Sequence, residues 1–234
     1  MLAKKLTVAI GCILTLAGFL GILIASLNQI ACEGQPINNI VPLTRQRQLL
    51  GDRIFSQSFV AARNNLNRID LLLLTYGRKN THTVNLRLLK IEKNIHPLQG
   101  VEVFHTTFNA ATVKDQSWHT FRFPPIPDSA GKSYLISLDS PDSVDGNAIT
   151  VGGIERDSYL PGTAYLGSGQ IVADMAFRSC YQMTTIEKLK VLSTQVTQSR
   201  PALWGDLKFY AIIVLVYFVL LIGFFGVLVR WVFR

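Results

Sequence analysis

Two runs without a single charged residue or histidine bracket this 234-residue chain, Leu6 to Leu27 and Phe209 to Val229. As helices of 22 and 21 residues they measure about 30 Å each, the thickness of a bilayer's hydrocarbon core. Such a chain is expected to be held in a membrane near both ends, which excludes a soluble cytosolic protein and a multi-span transporter. The stretch between them has 181 residues, enough for one well-buried domain.

The formal charge of +8 divides along the same lines. Lys4, Lys5, Arg230 and Arg234 flank the runs, and all 15 acidic residues lie between them, so nineteen of the 23 basic residues leave the middle segment at +4. A mild excess with no Lys/Arg-rich run lacks the footprint of a nucleic-acid binder. The flanking charges orient the spans: positive residues stay cytoplasmic, so both termini are expected inside and the middle domain outside. The first run is longer than the apolar core of a cleaved secretory signal, which favours a retained anchor. A lipoprotein site at Cys32 is disfavoured by the polar Gln29 before it. The expected organisation is a cytoplasmic N-terminus (1–5), a first transmembrane helix (6–27), an exported domain (28–182), an amphipathic helix and linker (183–208), a second transmembrane helix (209–229) and a cytoplasmic tail (230–234). Trp204, Lys208 and Tyr210 are placed at the outer interface and Trp231 at the inner one.

Cys12 falls within the first run and is a packing residue. Cys32 and Cys180 both fall in the exported domain, where they are either a disulfide closing a loop of nearly 150 residues or two buried free thiols.

The exported segment carries a mainly β signature. Short runs of β-branched, aromatic and leucine residues are separated by Gly, Pro, Asn and Asp. Nine strands are expected: 53–60, 67–76, 83–89, 101–107, 118–123, 133–138, 148–151, 163–166 and 172–181. Val84, Leu86 and Leu88 alternate with polar neighbours, as do Tyr134, Ile136 and Leu138, which predicts one buried and one wet face. Leu71 to Leu74 is apolar on both faces, as in a covered central strand. Pro124, Pro125 and Pro127 read as a rigid loop. Such a pattern fits a two-sheet, jelly-roll-like β-sandwich. Ile69, Leu71, Leu73, Phe121 and Phe123 are expected in its core, with Asp70 paired to Arg122 or Arg178. Beyond Tyr181, Ile186, Leu189, Leu192 and Val196 recur near helical period, which predicts an amphipathic helix ending before Pro201, with its stripe buried.

No catalytic signature is present. The sequence lacks Gly-x-Ser-x-Gly, His-Glu-x-x-His, a phosphate-cradling glycine loop and Cys-x-x-Cys, and His82, His96, His105 and His119 are dispersed. The expectation is therefore a protein that is not an enzyme. Asp139, Asp142 and Asp145 cluster in a turn, where structural Ca²⁺ is the one cofactor to consider. For saccharide binding, which needs a flat aromatic face with planar polar partners, the candidates are Tyr76, Arg78, Trp118 and Tyr159, with Tyr165, Asn80 and Asp157 beside them.

Three stretches carry a family likeness: Asn65 to Asp70 leading to Thr75-Tyr76-Gly77-Arg78, the long motif Trp118 to Tyr134, and Ala176-Phe177-Arg178. They resemble a bacterial, membrane-anchored, exported jelly-roll domain family of largely unknown function, sometimes attached to glycosyltransferase-like membrane proteins. The resemblance covers roughly residues 59–181 and implies carbohydrate recognition. The functional expectation is a protein of the bacterial inner membrane whose exported domain binds envelope saccharide or organises a polysaccharide-processing complex. The alternative is a non-catalytic accessory subunit, held to other membrane protein subunits by its spans through Ala17 and Gly21 or Gly223 and Gly226.

Overall fold

A computed structural model describes residues 11, 14, 17, 18, 21, 31–34, 41–42, 48–92, 99–197 and 206–233. Most of the first apolar run, including Cys12, lies outside the described residues, as do Lys4, Lys5, Gln29, His96, Pro201, Trp204 and Arg234. The chain divides into two compact units, residues 32–182 and residues 1–31 with 183–234.

The first unit is mainly β, with thirteen strands among the described residues: β1 Cys32–Gly34, β2 Val41–Pro42, β3 Gly51–Val60, β4 Leu66–Leu74, β5 Thr83–Ile91, β6 Val101–Asn109, β7 Ser117–Ile126, β8 Ser133–Ser140, β9 Thr150–Ile154, β10 Ala164–Leu166, β11 Gly169–Ile171, β12 Asp174–Met175 and β13 Phe177–Tyr181. They form two antiparallel sheets. The first runs β1-β13-β4-β9-β12, with β7 on β4 and β2 on β9; the second runs β11-β10-β3-β8-β5-β6.

Period-two alternation aims one face of each sheet at the other. Ile69, Leu71 and Leu73 of β4, Phe177 of β13 and Phe121 of β7 are buried with Phe55 and Phe59 of β3, Leu86 and Leu88 of β5, and Tyr134, Ile136 and Leu138 of β8. Phe59 touches Phe177 at 5.4 Å between ring centroids, joining the sheets. At the β6–β7 side, Phe104 meets Phe123 at 5.0 Å and Phe108 meets Phe121 at 5.3 Å. A buried polar tie adds to these contacts: Gln57 Nε2 donates to Asp174 Oδ1, and Gln57 Oε1 accepts from the Met175 N–H.

Several expectations are corrected. The Pro124-Pro125 stretch is strand, because β7 pairs with β4 alone and an edge strand tolerates a residue without an N–H. Strand β8 is buried on both faces from Tyr134 to Ser140; it lies between β3 and β5, and its outward Ser137 is bonded by Ser56. The expected strand over 172–181 breaks at Ala176. There the N–H donates to the Gly152 carbonyl and the carbonyl accepts from the Leu72 N–H, splitting β12 from β13. Strands β1, β2 and β11, of two or three residues each, are too short to show a period. Leu72 and Leu74 do have their outer side covered: a Cβ on Gly152 would stand 2.5 Å from Leu72 Cδ2 and 3.0 Å from Leu74 Cδ1.

In the second unit, α1 spans Thr185–Thr197 and α2 spans Leu207–Phe233. Thr184 and Glu187 form a capping box before α1: Thr184 N–H and Oγ1 donate to Glu187 Oε2, while the Glu187 N–H reaches Thr184 Oγ1. These bonds, chiefly the Thr184 N–H, hold the Glu187 carboxyl below its ordinary range. Where the stripe on α1 was expected to be buried, Ile186 is 79% and Leu189 49% exposed and Leu192 is half-buried. Counted over the described residues alone, no helix is long and apolar enough to cross a membrane.

Candidate functional site

The outward face of the first sheet collects charge and aromatic surface on a regular grid set by strand register. One row reads Cys32, Cys180, Arg68, Arg122, because Cys32 pairs with Cys180, Cys180 with Arg68 and Arg68 with Arg122. The next reads Gly34, Arg178, Asp70, Thr120, and the third holds Leu72 opposite Trp118. Paired residues on neighbouring strands share a face, with Cα atoms about 5 Å apart.

Cys32 and Cys180 form a disulfide, with Cα atoms 4.0 Å apart and 148 residues of sequence separation. It fastens edge strand β1 to β13. Beside it the Arg68 guanidinium donates from Nη2 to Cys32 Sγ at 2.9 Å and to Asp70 Oδ2 at 3.0 Å. Thr120 Oγ1 donates to the other Asp70 oxygen at 2.8 Å. Asp70 therefore pairs with Arg68, two residues earlier on its own strand, rather than with Arg122 or Arg178 as the sequence suggested. Its carboxylate is buried although it belongs to the outer face, because the surrounding long side chains cover it. Cys32, Asp70 and Cys180 bring their ligand atoms within 4.8 Å of one another. Two of those atoms are spent in the disulfide, and a guanidinium already neutralises the third, so the donor set does not suit a cation.

Arg178 lies across this face. Its guanidinium carbon is 4.0 Å from the centroid of the Trp118 ring, within cation–π range. Gly34 on β1 is what lets Arg178 lie flat: a Cβ there would stand 2.7 Å from Arg178 Cγ. Trp118 is thus a half-buried platform topped by an exposed guanidinium, and Thr120 and Arg122 beside it are exposed.

The turn after β4 continues from the same end of the β4–β7 pair. Tyr76 is exposed and holds φ +56°, with Gly77 at φ +68°. A non-glycine residue in this region is uncommon, and Asp115 sustains it by accepting the N–H groups of Thr75 at 2.6 Å and Tyr76 at 3.0 Å. The Thr75 N–H leads the interactions that hold the Asp115 carboxyl below its ordinary range. Arg78 stands 5.2 Å from the Tyr76 ring centroid and donates to the Thr75 and Ala148 carbonyls, so its guanidinium also locks the turn. Asn80 is buried, and its amide has no partner among the described residues.

Of the other candidates, Tyr159 and Asp139 are engaged within the fold. Tyr159 bonds the Val60 backbone through its hydroxyl and packs edge-on to Phe177 at 5.4 Å. Burial pushes that phenol's pKa up. Asp139 is taken by Asn85 Nδ2 and Arg87 Nη2, each at 2.7 Å. Asp142 and Asp145 are exposed and form no group of three side-chain ligands with Asp139 among the described residues. Tyr165 is half-buried and Asp157 exposed. Sequence reasoning named Trp118 but missed the face around it. The available signal was outward period-two placement of Arg68 and Asp70, and of Trp118, Thr120 and Arg122; the register that joins the two strands is not written in either.

Compared with known proteins, the chain matches no protein-family model and no curated protein.

Proposed function

We propose that the protein is a non-catalytic, membrane-held binding module whose exported jelly-roll domain takes a saccharide on the outer face of its first sheet. The carrying observation is the Trp118–Arg178 stack at 4.0 Å: a flat surface edged by the exposed Arg122 guanidinium as donor and by the Thr120 hydroxyl oxygen as acceptor, its proton being given to Asp70, suited to a sugar ring and its hydroxyls. The strand order supports the jelly roll, since the paths β1-β13-β4-β7 in the first sheet and β3-β8-β5-β6 in the second make the chain cross between sheets at each step among these eight strands except β5 to β6. The disulfide supports an oxidising compartment outside the cytoplasm. Anchoring is supported by α2, whose 27 residues extend about 40 Å, are uncharged from Phe209 to Val229 and present exposed Ile212 to Leu220.

The test is calorimetric titration of the full chain in detergent micelles with a panel of envelope saccharides. Binding that weakens at least about tenfold in Trp118→Ala and Arg178→Ala, with unchanged circular dichroism, supports the reading. A second reading, an accessory subunit held by its helices, is favoured by the exposed stripe of α1 and by the open surface at Gly223 and Gly226, where an added Cβ meets nothing within 4 Å. No saccharide bound, together with a stoichiometric membrane partner on purification, selects that one.

A further inference from the structure

We infer that the ligand of this face is anionic: a saccharide carrying a carboxylate, such as a uronic acid, with Arg122 as the group that takes its charge. The inference rests on the saccharide reading and adds the chemical class.

It starts from a like-charge pair. Arg68 and Arg122 are direct partners across the β4–β7 ladder, and identical charges placed opposite one another on a sheet face destabilise the pairing. Among the described residues, only Arg68 has an acidic partner. Arg68 holds Asp70 Oδ2 at 3.0 Å, and Thr120 occupies Asp70 Oδ1 at 2.8 Å. Cys180 Sγ stands 3.7 Å from Oδ2 and, bound in the disulfide, has no proton to give. Asp70 is therefore committed, and it is the only acid of the three-row grid. Glu33 of β1 is directed away, to Arg63 at 2.6 Å. Three guanidiniums thus share one carboxylate.

The two arginines left over are the exposed ones. Arg178 rests on the Trp118 ring, a contact that leaves its charge intact, and Arg122 is exposed on the row beside it. Arg68 contributes a further sign of incomplete pairing, since its Nε is a buried donor without an acceptor among the described residues. A fold selected for stability alone would place an acid or a neutral residue at position 122. A planar carboxylate fits instead: it matches the guanidinium fork in two parallel hydrogen bonds, and the attached ring lies against the Trp118–Arg178 platform. Phosphate on a lipid headgroup shares the oxyanion chemistry, but the flat platform beside the charge favours a sugar.

The deciding experiment titrates the full chain in micelles with trigalacturonate and with neutral galactotriose. The expected result is that trigalacturonate binds at least about tenfold more tightly, from charge-assisted hydrogen bonds, and that Arg122→Gln abolishes the preference. Arg156→Gln, which removes the same charge from an exposed position outside the grid, keeps the preference and so separates a local contact from net charge. Equal binding of the two sugars, or a preference indifferent to Arg122→Gln, overturns the inference and leaves the saccharide reading standing. Binding of neither sugar overturns both. Capture by vesicles containing anionic phospholipid, with no sugar bound, also overturns it, in favour of a headgroup ligand.

Discussion

Tyr134 is the clearest case of a side chain kept for shape. It is fully buried beside Phe59, with ring centroids 5.7 Å apart, yet its hydroxyl has no hydrogen-bond partner among the described residues. Burial raises the phenol's pKa, and an orphan buried hydroxyl bears a desolvation cost with no return. Tyr134→Phe is therefore expected to leave stability unchanged or to raise it by about 1 kcal/mol, measured by urea denaturation; a loss of more than that amount would reveal a partner for the hydroxyl. His119 behaves differently. Its ring lies 4.8 Å from Phe108 and 5.0 Å from Phe121 by centroid, and burial lowers its pKa from the ordinary 6.5. Because the unfolded chain takes up the proton first, the contribution of His119 is intact above about pH 6.5 and is lost as pH falls below it. His119→Phe should flatten stability against pH in that window. A slope equal to the parent's would show that other groups set the acid limb.

At the scale of elements, β1 is three residues long and survives as an edge through its disulfide to β13. A disulfide stabilises chiefly by restricting the unfolded chain, typically by about 2–4 kcal/mol. The double variant Cys32→Ala/Cys180→Ala should lose stability in that range and should expose the β1 amides to hydrogen exchange ahead of β4. Unchanged exchange at β1 would mean that pairing alone retains it. How much of these elements was legible follows from their length and surroundings. Strand β5, nine residues long with alternating burial, announced itself by period, whereas β8 alternates in sequence but is covered on both faces in the fold. Its outward Ser137 hydrogen-bonds Ser56 at 3.2 Å, a contact made by a strand remote in sequence. The helix α1 was legible from its hydrophobic period; the exposure of Ile186 and Leu189 was not, because that period identifies a face without saying what covers it. The candidate site was legible in residue type only. Trp118, Arg122 and Arg178 are on the page in sequence, but the grid that brings them together depends on which residue of β4 each strand faces.

At the scale of the whole molecule, the account joins an uncharged 21-residue run within helix α2 to a disulfide-fastened β domain. The proposed membrane insertion would account for the exposed apolar side chains from Ile212 to Leu220, and the disulfide supports the proposed placement of the domain on the oxidising side. The flanking basic residues agree with that orientation. The direct measurement is the sidedness of the β domain in intact cells. Asp142, exposed in the connection between β8 and β9, is replaced in Asp142→Cys, and spheroplasts are treated with a membrane-impermeant maleimide. The account predicts labelling of that cysteine before lysis. Labelling only after lysis would put the domain in the cytoplasm and contradict the account.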